Sequence, residues 1–480
     1  MRNPKHSLLI LMILPWIIAE FISHHPVASY FLSWAGSWWI FYLSILSPYN
    51  CLDRDRPASE QLMRPIILVQ LLFAGLMCIT SIFYFWDHLG FVYLQNVTNN
   101  QFHINDETML LARCQRMTLL AHIALVWGML LPNKSGPIVQ YKCSLPIEHL
   151  LLWMSLFALS CTYALNLIPS LLQLKVYLLA LAGTSQTLLL IRGLLKKNLV
   201  YICYGGFTFL ILLTDATLTG FKEIILLHII TFSFLAFPYY KKTITLLFFP
   251  VVYMLLYVLP TFTAMMRTLS WEEKKSASLA RTEAIDFISQ PQKGALLEQN
   301  NWVFLTKRFS EIAMFCQYLE TYPNHQPYLG MQILDNSFLA LIPRAVWTDK
   351  PNTEKTSMER VYKAGVINRA SNTSAKTRPV IDGYLSAGLV GVFVTMLIYG
   401  MIAQSLSNTA ERLFGGYSLG CTVIFNSIFQ PLWRGNNWEF LLNNLVYGYL
   451  IMIFLFYLLQ FINVLKPKQN DTHPSCNTLL

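Results

Sequence analysis

Residues 378–403 read RPVIDGYLSAGLVGVFVTMLIYGMIA, an apolar run with two charged residues, Arg378 and Asp382, at its start. The part from 381 to 403 is long enough to cross about 30 Å of hydrocarbon as a helix. Immediately upstream, residues 344–378 hold eight Lys or Arg against three Asp or Glu. A basic strip that leads directly into an apolar helix predicts a cationic surface at one face of a membrane.

The composition of the whole chain agrees with a membrane protein. Of its 480 residues, 55% are hydrophobic and 12% are charged, and the mean hydropathy is +0.45. A soluble domain of this length would need more surface charge, so we predict a polytopic membrane protein. The net charge of +10 indicates basic cytoplasmic loops and anionic lipid before it indicates nucleic acid. None of the nine cysteines forms a CxxC pair, which argues against a disulfide framework or a zinc site.

The predicted fold is all-α, a transmembrane bundle of about twelve helices with one large, partly helical periplasmic loop. The apolar runs that predict it are 7–23, 27–47, 65–86, 117–132, 147–165, 170–192, 198–214, 221–237, 243–265, 381–403, 415–432 and 440–464. If the N-terminus is cytoplasmic, the cytoplasmic segments hold fifteen Lys or Arg and the short outer segments hold four. This bias predicts that both termini are cytoplasmic.

These spans divide the chain into four segments. Transmembrane helices 1–9 are predicted in 1–265, the periplasmic loop in 266–380, helices 10–12 in 381–464 and a cytoplasmic tail in 465–480. The charge of the long loop does not enter the orientation argument, because long domains cross the membrane largely regardless of charge.

Three helices are predicted inside the periplasmic loop, at about 270–287, 302–319 and 328–341. The first follows a capping-box pattern at Ser270–Glu273. The second is amphipathic, and its apolar stripe from Trp302 to Leu319 either packs on the bundle or lies in the headgroup layer. The third is ended by Pro343. Turn-forming residues predict a loop over 348–377.

The basic strip supplies the first candidates for a binding site. A planar guanidinium binds two phosphate oxygens at once. The strip is predicted to lie outside the cytoplasm, so a lipid-linked diphosphate is a better partner than nucleic acid. The candidate ligands are Arg344, Lys350, Arg360, Arg369 and Arg378. The alternative is a solvated basic face against anionic lipid headgroups.

Further candidates lie at the same predicted face of the membrane. Asp382 stands four residues after Arg378, so it either pairs with this arginine along a helix or accepts a proton from a sugar hydroxyl. Glu439 is the second candidate for the acid. Lys222 either pairs with the acid that follows it or completes the cationic pocket. Arg434, between two tryptophans, either anchors the chain at the interface or binds the diphosphate.

Several sequence motifs are absent. The chain contains no GxxxxGK[ST] phosphate loop, no HExxH and no GxSxG motif. The predicted outer loops carry no Asp-x-Asp pair of the kind that holds a metal in many sugar transferases. We therefore predict a site that uses no metal, no cofactor and no nucleotide.

The patterns IPRxxWxxKP from 342 and RPxxxGYxxxG from 378, with a basic loop between them, resemble the Wzy-like polymerases of bacterial O-antigen or oligosaccharide repeat units. The turn LTGFK at 218–222 is similar to the Gly-Ser-Arg turn of that family, with Lys222 in place of arginine. Lysine cannot bind phosphate in the bidentate way, so this substitution weakens phosphate binding at the turn. The resemblance covers the topology of the whole chain and specific residues at about 218–223 and 338–391.

The resemblance implies a GT-C-type glycosyltransferase in the bacterial inner membrane. Such an enzyme joins oligosaccharide units carried on undecaprenyl diphosphate at the periplasmic face, without a sugar nucleotide. Membrane lipid, a chain-length regulator and a repeat-unit flippase are the further partners to expect. Two alternatives stay open at this point: an O-antigen ligase of the same membrane class, and a flippase or transporter of the lipid-linked unit.

The leaving group of such a reaction is a lipid diphosphate, whose developing charge needs fixed positive partners. We predict that Arg344, Arg369 and Arg378 fill this role, with Arg434 and Lys222 as second choices. Arg344, Arg378 and Asp382 are the predicted catalytic residues. Arg369, Arg360, Lys350, Arg434, Lys222 and Glu439 are predicted to bind the diphosphate or the sugar.

Overall fold

A computed structural model describes most of the chain and is mostly helical. The described residues are 4–48, 51–92, 95–96, 105–132, 139–165, 167, 174–218, 222–269, 273, 275–289, 294–343, 346–347, 349–370, 374–433 and 436–468. Its α-helices are α1 Pro4–Phe21, α2 Pro26–Phe41, α3 Pro65–Ala74, α4 Ser81–His88, α5 Asp106–Leu130, α6 Ile147–Leu165, α7 Lys175–Lys196, α8 Leu199–Leu218, α9 Lys222–Ala236, α10 Lys241–Tyr253, α11 Leu259–Arg267, α12 Ala277–Ser289, α13 Gly294–Phe304, α14 Ile312–Thr321, α15 Gln332–Leu341, α16 Thr353–Lys363, α17 Pro379–Leu413, α18 Tyr417–Trp433 and α19 Trp438–Phe461.

Seven helical segments of the described chain are long and apolar enough to cross a membrane. They are Pro65–His88, Asp106–Leu130, Ile147–Leu165, Lys175–Lys196, Lys241–Met266, Pro379–Leu413 and Trp438–Phe461. Two of them contain a π-helical turn, at Gly75–Ile79 and Met254–Val258, so each is formed by two α-helices in sequence. A membrane bundle is therefore supported, whereas the count of about twelve spans stays a prediction.

Three further apolar helices, α1, α8 and α9, lie outside this group. Their described apolar stretches are Ser7–Phe21, Leu199–Thr214 and Leu227–Ala236. They coincide with three of the predicted spans, and α2 and α18 coincide with two more.

The loop predicted to be periplasmic is more helical than its sequence indicates. The helix expected from Ser270 begins at Ala277 in the structure, and Ser270 itself lies outside the described residues. The helix predicted over 328–341 is found as α15. The predicted loop over 348–377 was wrong in part, because α16 forms within it. Asn352, one of the turn formers, is the N-cap of α16 and accepts hydrogen bonds from the backbone of Glu354 and Lys355.

The predicted amphipathic helix is broken into two. The chain passes from α13 through a π-helical turn, Leu305–Phe309, to an extended residue, Ser310 (φ −87°, ψ 128°), before α14 begins. The apolar stripe nevertheless packs against the bundle, which is one of the two arrangements predicted for it. Five of its six residues are buried, Trp302, Leu305, Ile312, Cys316 and Leu319, and Phe309 is partly buried.

Helices α5 and α17 cross at the centre of the bundle through two glycines. A Cβ atom on Gly128 would lie 2.1 Å from the carbonyl oxygen of Leu397, and one on Gly400 would lie 2.2 Å from that of Leu125. The two backbones are therefore in direct contact, as is common where small residues line a membrane-helix interface.

Helix α17 is kinked near its N-terminal end. Ala387 and Gly388 leave the helical conformation, and Gly388 has φ +60° and ψ −138°. The kink frees backbone carbonyls of α17, and two of them accept hydrogen bonds from the loop before α15: Leu329 N to Leu385 O at 2.8 Å and Gly330 N to Ser386 O at 3.1 Å. The loop predicted to be periplasmic is thus attached to α17 at its break.

Contacts between loops fall into two groups, one at each end of the bundle. At one end, β3 (Tyr141–Cys143) pairs antiparallel with β4 (Leu465–Pro467), and Arg64 pairs with Glu411 at the end of α17. At the other end, Trp302 donates a hydrogen bond to Asp87 at 2.6 Å. A second two-stranded ladder joins β1 (Phe91–Val92) to β2 (Gln95–Asn96). Loop contacts at both ends of the bundle are what we expect if successive spans run in alternate directions.

Candidate functional site

Three charged side chains from different parts of the chain meet in a buried cluster, which we call the Arg360 cluster. The guanidinium of Arg360 donates to both carboxylate oxygens of Glu439, at 2.6 and 2.8 Å, and lies 3.0 Å from Oδ1 of Asp382. Thr377 accepts a hydrogen bond from Arg360 at 3.1 Å and donates one to Asp382. All four residues are at most 5% exposed.

Two helix N-termini position the acids of the Arg360 cluster. Asp382 lies in the first turn of α17 and Glu439 in the first turn of α19, where the helix dipole favours a carboxylate. The backbone N–H of Trp438, at the start of α19, donates to Oδ2 of Asp382 at 2.6 Å. Arg360 reaches this point from α16. The sequence predicted each residue as a site candidate, but not that these three belong together.

The cluster holds one cation against two acids. Burial lowers the pKa of Arg360, but Asp382 and Glu439 outweigh burial and raise it above its usual range. Arg360 therefore remains a cation in this dry environment. Its hydrogen bonds are used within the cluster, so it holds the acids in place and is not a free phosphate ligand.

Unpartnered polar atoms lie beside the cluster. The hydroxyl oxygens of Tyr318 and Tyr322 and the amide nitrogen of Asn437 are buried and have no hydrogen-bond partner within the described part of the chain. Burial raises the pKa of Tyr318, and the charges of Arg360 and Asp382 also act on it. A buried polar atom without a partner costs about 1–3 kcal/mol. The three atoms therefore offer partners to a bound hydroxyl group or water.

Arg378 points away from the Arg360 cluster. It forms a double hydrogen bond through Nε and Nη2 with the two carboxylate oxygens of Glu311, in the link between α13 and α14. The expected pairing of Asp382 with Arg378 is not seen, because the ion pair of Asp382 is with Arg360. Arg378 is the extended N-cap residue of α17 (φ −85°, ψ 160°), so helical spacing does not bring it to Asp382.

The Arg378–Glu311 pair borders a large apolar cavity of about 800 Å³. The cavity is lined mainly by helices α8 to α10, and among its described lining residues Arg378 and Glu311 are the charged ones. It extends to Leu62, before α3, and so follows the bundle lengthwise. On α10 its lining residues Leu247 and Phe248 are 49% and 58% exposed, which leaves the cavity open toward the side where lipid would lie.

The other predicted cations of the strip have separate roles in the structure. Lys350 donates to the carbonyl oxygens of Ala340 and Ile342 at 2.7 and 2.8 Å, at the C-terminal end of α15. Arg369 is 63% exposed and pairs with Glu359 at 2.6 Å. The structure does not bring these two residues to the cavity or to the Arg360 cluster.

Three predicted residues have no described side chain. Arg344 and Arg434 lie outside the described residues, and Lys222 begins α9 with a side chain of which nothing is described. Their assignment as diphosphate ligands stays a prediction.

Two residues of the site were missed from the sequence. Glu311 is an acid inside an apolar stripe, and this irregularity was the available signal. Thr377 directly precedes Arg378 and gave no signal, because a hydroxyl that joins an arginine to an acid depends on tertiary contacts. Among the described residues, no group of three or more His, Cys, Asp or Glu lies close enough to hold a metal ion.

Comparison with known proteins gives one match. A family model described as a domain of unknown function, DUF8712, matches residues 14–467. No curated protein and no solved structure matches the chain.

Proposed function

The chain belongs to the DUF8712 family of unknown function, and we propose from its site that it is a membrane glycosyltransferase that polymerises lipid-linked oligosaccharide repeat units. In this proposal the substrate is an oligosaccharide on undecaprenyl diphosphate, and the reaction takes place at the periplasmic face of the bacterial inner membrane. The resemblance to the Wzy-like polymerases suggests the reaction.

The observation that carries the proposal is the cavity with its polar end. A lipid-linked sugar diphosphate has a long apolar tail, a doubly charged link and a polar head. The cavity of about 800 Å³ offers an apolar channel with a side opening and a guanidinium, Arg378, at one end. Buried hydroxyl groups beside the Arg360 cluster offer partners for sugar hydroxyls. The tail and the diphosphate each find a chemically matching surface in the cavity, and we place the sugar beside the Arg360 cluster, whose residues are not among the described lining of the cavity.

We propose that Arg378 stabilises the leaving group. In the reaction, a hydroxyl oxygen of the acceptor unit attacks the anomeric carbon of the donor chain, and the bond from this carbon to the diphosphate oxygen breaks. Negative charge then develops on the diphosphate, and a fixed guanidinium stabilises it by about 3–4 kcal/mol. Because Arg378 is paired with Glu311, the diphosphate must compete with this carboxylate for the guanidinium.

This competition gives Glu311 a role. Once Arg378 binds the diphosphate, Glu311 is released as a carboxylate that accepts the proton of the attacking hydroxyl. Its side chain is 22% exposed, whereas Asp382 is 2% exposed and both its oxygens are occupied. We therefore move the predicted base from Asp382 to Glu311. Asp382, Arg360 and Glu439 position the start of α17, and Arg344 and Arg434 stay proposed as further diphosphate ligands.

The proposal is tested in proteoliposomes that contain the full-length protein and a purified lipid-linked repeat unit. We expect a ladder of polymers together with released undecaprenyl diphosphate. Arg378→Ala should weaken substrate binding and abolish the ladder. Glu311→Gln should keep binding, because it frees Arg378, but lower the rate of extension by at least about 100-fold. Arg369→Ala, at an exposed pair, is the matched control and should keep activity.

Two outcomes would replace the proposal by its alternatives. Movement of the lipid-linked unit across the bilayer without a new glycosidic bond would identify a flippase. Transfer of a finished chain to a lipid A core acceptor, without extension of the repeat, would identify a ligase.

A further inference from the structure

Two cysteines far apart in the chain lie side by side in the structure. Cys114 is on α5 and Cys316 is on α14, 202 residues later, and their sulfur atoms are 3.2 Å apart. Both are buried, Cys114 completely and Cys316 to 7% exposure. The nearby Cys78 instead donates to the carbonyl oxygen of Thr118.

We propose that Cys114 and Cys316 form a disulfide bond that fastens the periplasmic loop to the membrane bundle. A disulfide has an S–S distance of about 2 Å, so closure requires the sulfur atoms to approach by about 1 Å. Small rotations of the two side chains supply a movement of this size. The absence of CxxC pairs, which argues against a disulfide framework, does not bear on a single long-range bond.

The predicted compartment supports the reaction. Cys316 lies in the loop that is predicted to be periplasmic, and Cys114 lies in the N-terminal part of α5, at the same end of the bundle. Disulfides form and persist outside the bacterial cytoplasm. In the reaction the two thiols lose two protons and two electrons to an oxidised disulfide of an exchange partner, which becomes a dithiol. Because both sulfurs are buried, exchange takes place before α14 closes on α5.

The bond would have a consequence for the site. Helix α14 follows directly on Glu311, the partner of Arg378, and also carries Tyr318 beside the Arg360 cluster. Helix α5 packs through Gly128 on α17, which carries Gly400 and Asp382. A bond between α5 and α14 therefore fixes the two walls of the site relative to each other. This inference depends on the predicted topology, not on the proposed reaction.

Thiol counting tests the bond on the full-length protein. Membranes from cells with a periplasm are dissolved in denaturant containing a maleimide-polyethylene glycol reagent, with and without prior reduction. We expect adducts on seven of the nine cysteines without reduction and on nine after it. Peptide mapping of the unreduced protein should give one linked pair that contains Cys114 and Cys316, and this readout needs no variant.

Variants identify the partners. In Cys114→Ser and in Cys316→Ala, reduction should add no further adducts, because the remaining partner is then free. Cys78→Ser is the matched control, a buried cysteine in the same region, and reduction should still add two adducts. Nine adducts without reduction would overturn the proposal. A difference of two adducts that survives in Cys114→Ser would overturn it as well, by assigning the bond to other cysteines.

Discussion

At the scale of single residues, the described arginines of the basic strip each have an acidic partner. Arg360 meets Asp382 and Glu439, Arg369 meets Glu359 and Arg378 meets Glu311. A count of charges along the sequence shows an excess of cations, but it does not show which acids from distant segments approach them. The partners of Arg360 and Arg378 come from 439 and 311, outside the strip. The candidate site is therefore a set of ion pairs. The buried pairs of Arg360 have a structural role, whereas the partly exposed pair of Arg378 with Glu311 is accessible.

Replacement of Arg360 by methionine tests the structural role of its cluster. The variant leaves two carboxylates facing each other in a dry site, and loss of one partner from a buried ion pair costs about 3–5 kcal/mol. We expect a lower unfolding temperature of the detergent-solubilised protein, measured by differential scanning fluorimetry. Arg369→Met is the matched control, because an exposed pair contributes about 0–1 kcal/mol.

A third variant completes this test. In Arg360→Met combined with Asp382→Asn and Glu439→Gln, no buried charge is left alone, so part of the lost stability should return. Equal unfolding temperatures for the Arg360 and Arg369 variants would contradict a structural role for the cluster.

At the scale of secondary structure, the kink of α17 couples a long apolar helix to the loop that is predicted to be periplasmic. Its position follows from Gly388, whose φ of +60° is a conformation that other residues adopt with strain. The freed carbonyl oxygens of Leu385 and Ser386 accept hydrogen bonds from the backbone N–H groups of Leu329 and Gly330. The same break brings the loop against the first turn of α17, where Asp382 lies.

Gly388→Ala should destabilise the protein by about 1–3 kcal/mol, the usual cost of a residue in such a strained conformation. The added Cβ would also lie 2.8 Å from the hydroxyl oxygen of Tyr328. The measurement is the unfolding temperature in detergent. Gly75→Ala is the matched control, because Gly75 has helical dihedral angles and no neighbouring atom would lie within 4 Å of the added Cβ. A Gly388→Ala variant as stable as Gly75→Ala would show that the kink is not required.

The elements were predicted from the sequence with unequal success, and the reasons are physical. Apolar length is a local property, so each predicted span overlaps a helix of the described chain, with ends that differ by a few residues. The break at Ser310 could not be predicted, because the apolar stripe from Trp302 to Leu319 continues through it and only tertiary contacts, including the pair of Glu311 with Arg378, select the bend. Helix α16 was missed because Asn352 is as typical of a helix N-cap as of a turn.

At the scale of the whole molecule, the contacts sort the loops into two ends. Arg64, Asp55 and Glu411 meet at the end predicted to be cytoplasmic, and the Arg360 cluster lies at the opposite end. Arg64 and Glu411 are 347 residues apart in sequence. The first and last thirds of the chain are thus joined by a buried ion pair at one end and by the α5–α17 crossing in the centre.

The orientation of these two ends is the basis of the proposed function and can be measured. Ser374, exposed beside the Arg360 cluster, and Lys142, exposed in β3, are at opposite ends. In intact spheroplasts, a membrane-impermeant maleimide should label Ser374→Cys above the background of the native cysteines, and Lys142→Cys only after lysis. The reverse result would place the site on the cytoplasmic side and end the proposal of a periplasmic polymerase.

The pair of Asp55 with Arg64 predicts how the end of the bundle opposite the Arg360 cluster responds to acid. Burial raises the pKa of Asp55, but the hydrogen bonds from Arg64 and Arg56 together have the larger effect and lower this pKa to about 2. The pKa of an aspartate in the unfolded chain is higher, at about 3.9. The pair therefore stabilises the fold at neutral pH and loses this effect as the pH falls from about 4 to about 2. The side chain is 42% exposed, so the contribution of the pair to stability is at most about 1 kcal/mol.

Asp55→Asn should therefore unfold at a lower temperature than the wild-type protein at pH 7, and this difference should shrink below pH 4. Because salt screens the pair, the difference should also shrink in high salt. A difference that stays constant from pH 7 to pH 3 would show that the carboxylate charge of Asp55 does not hold this end together.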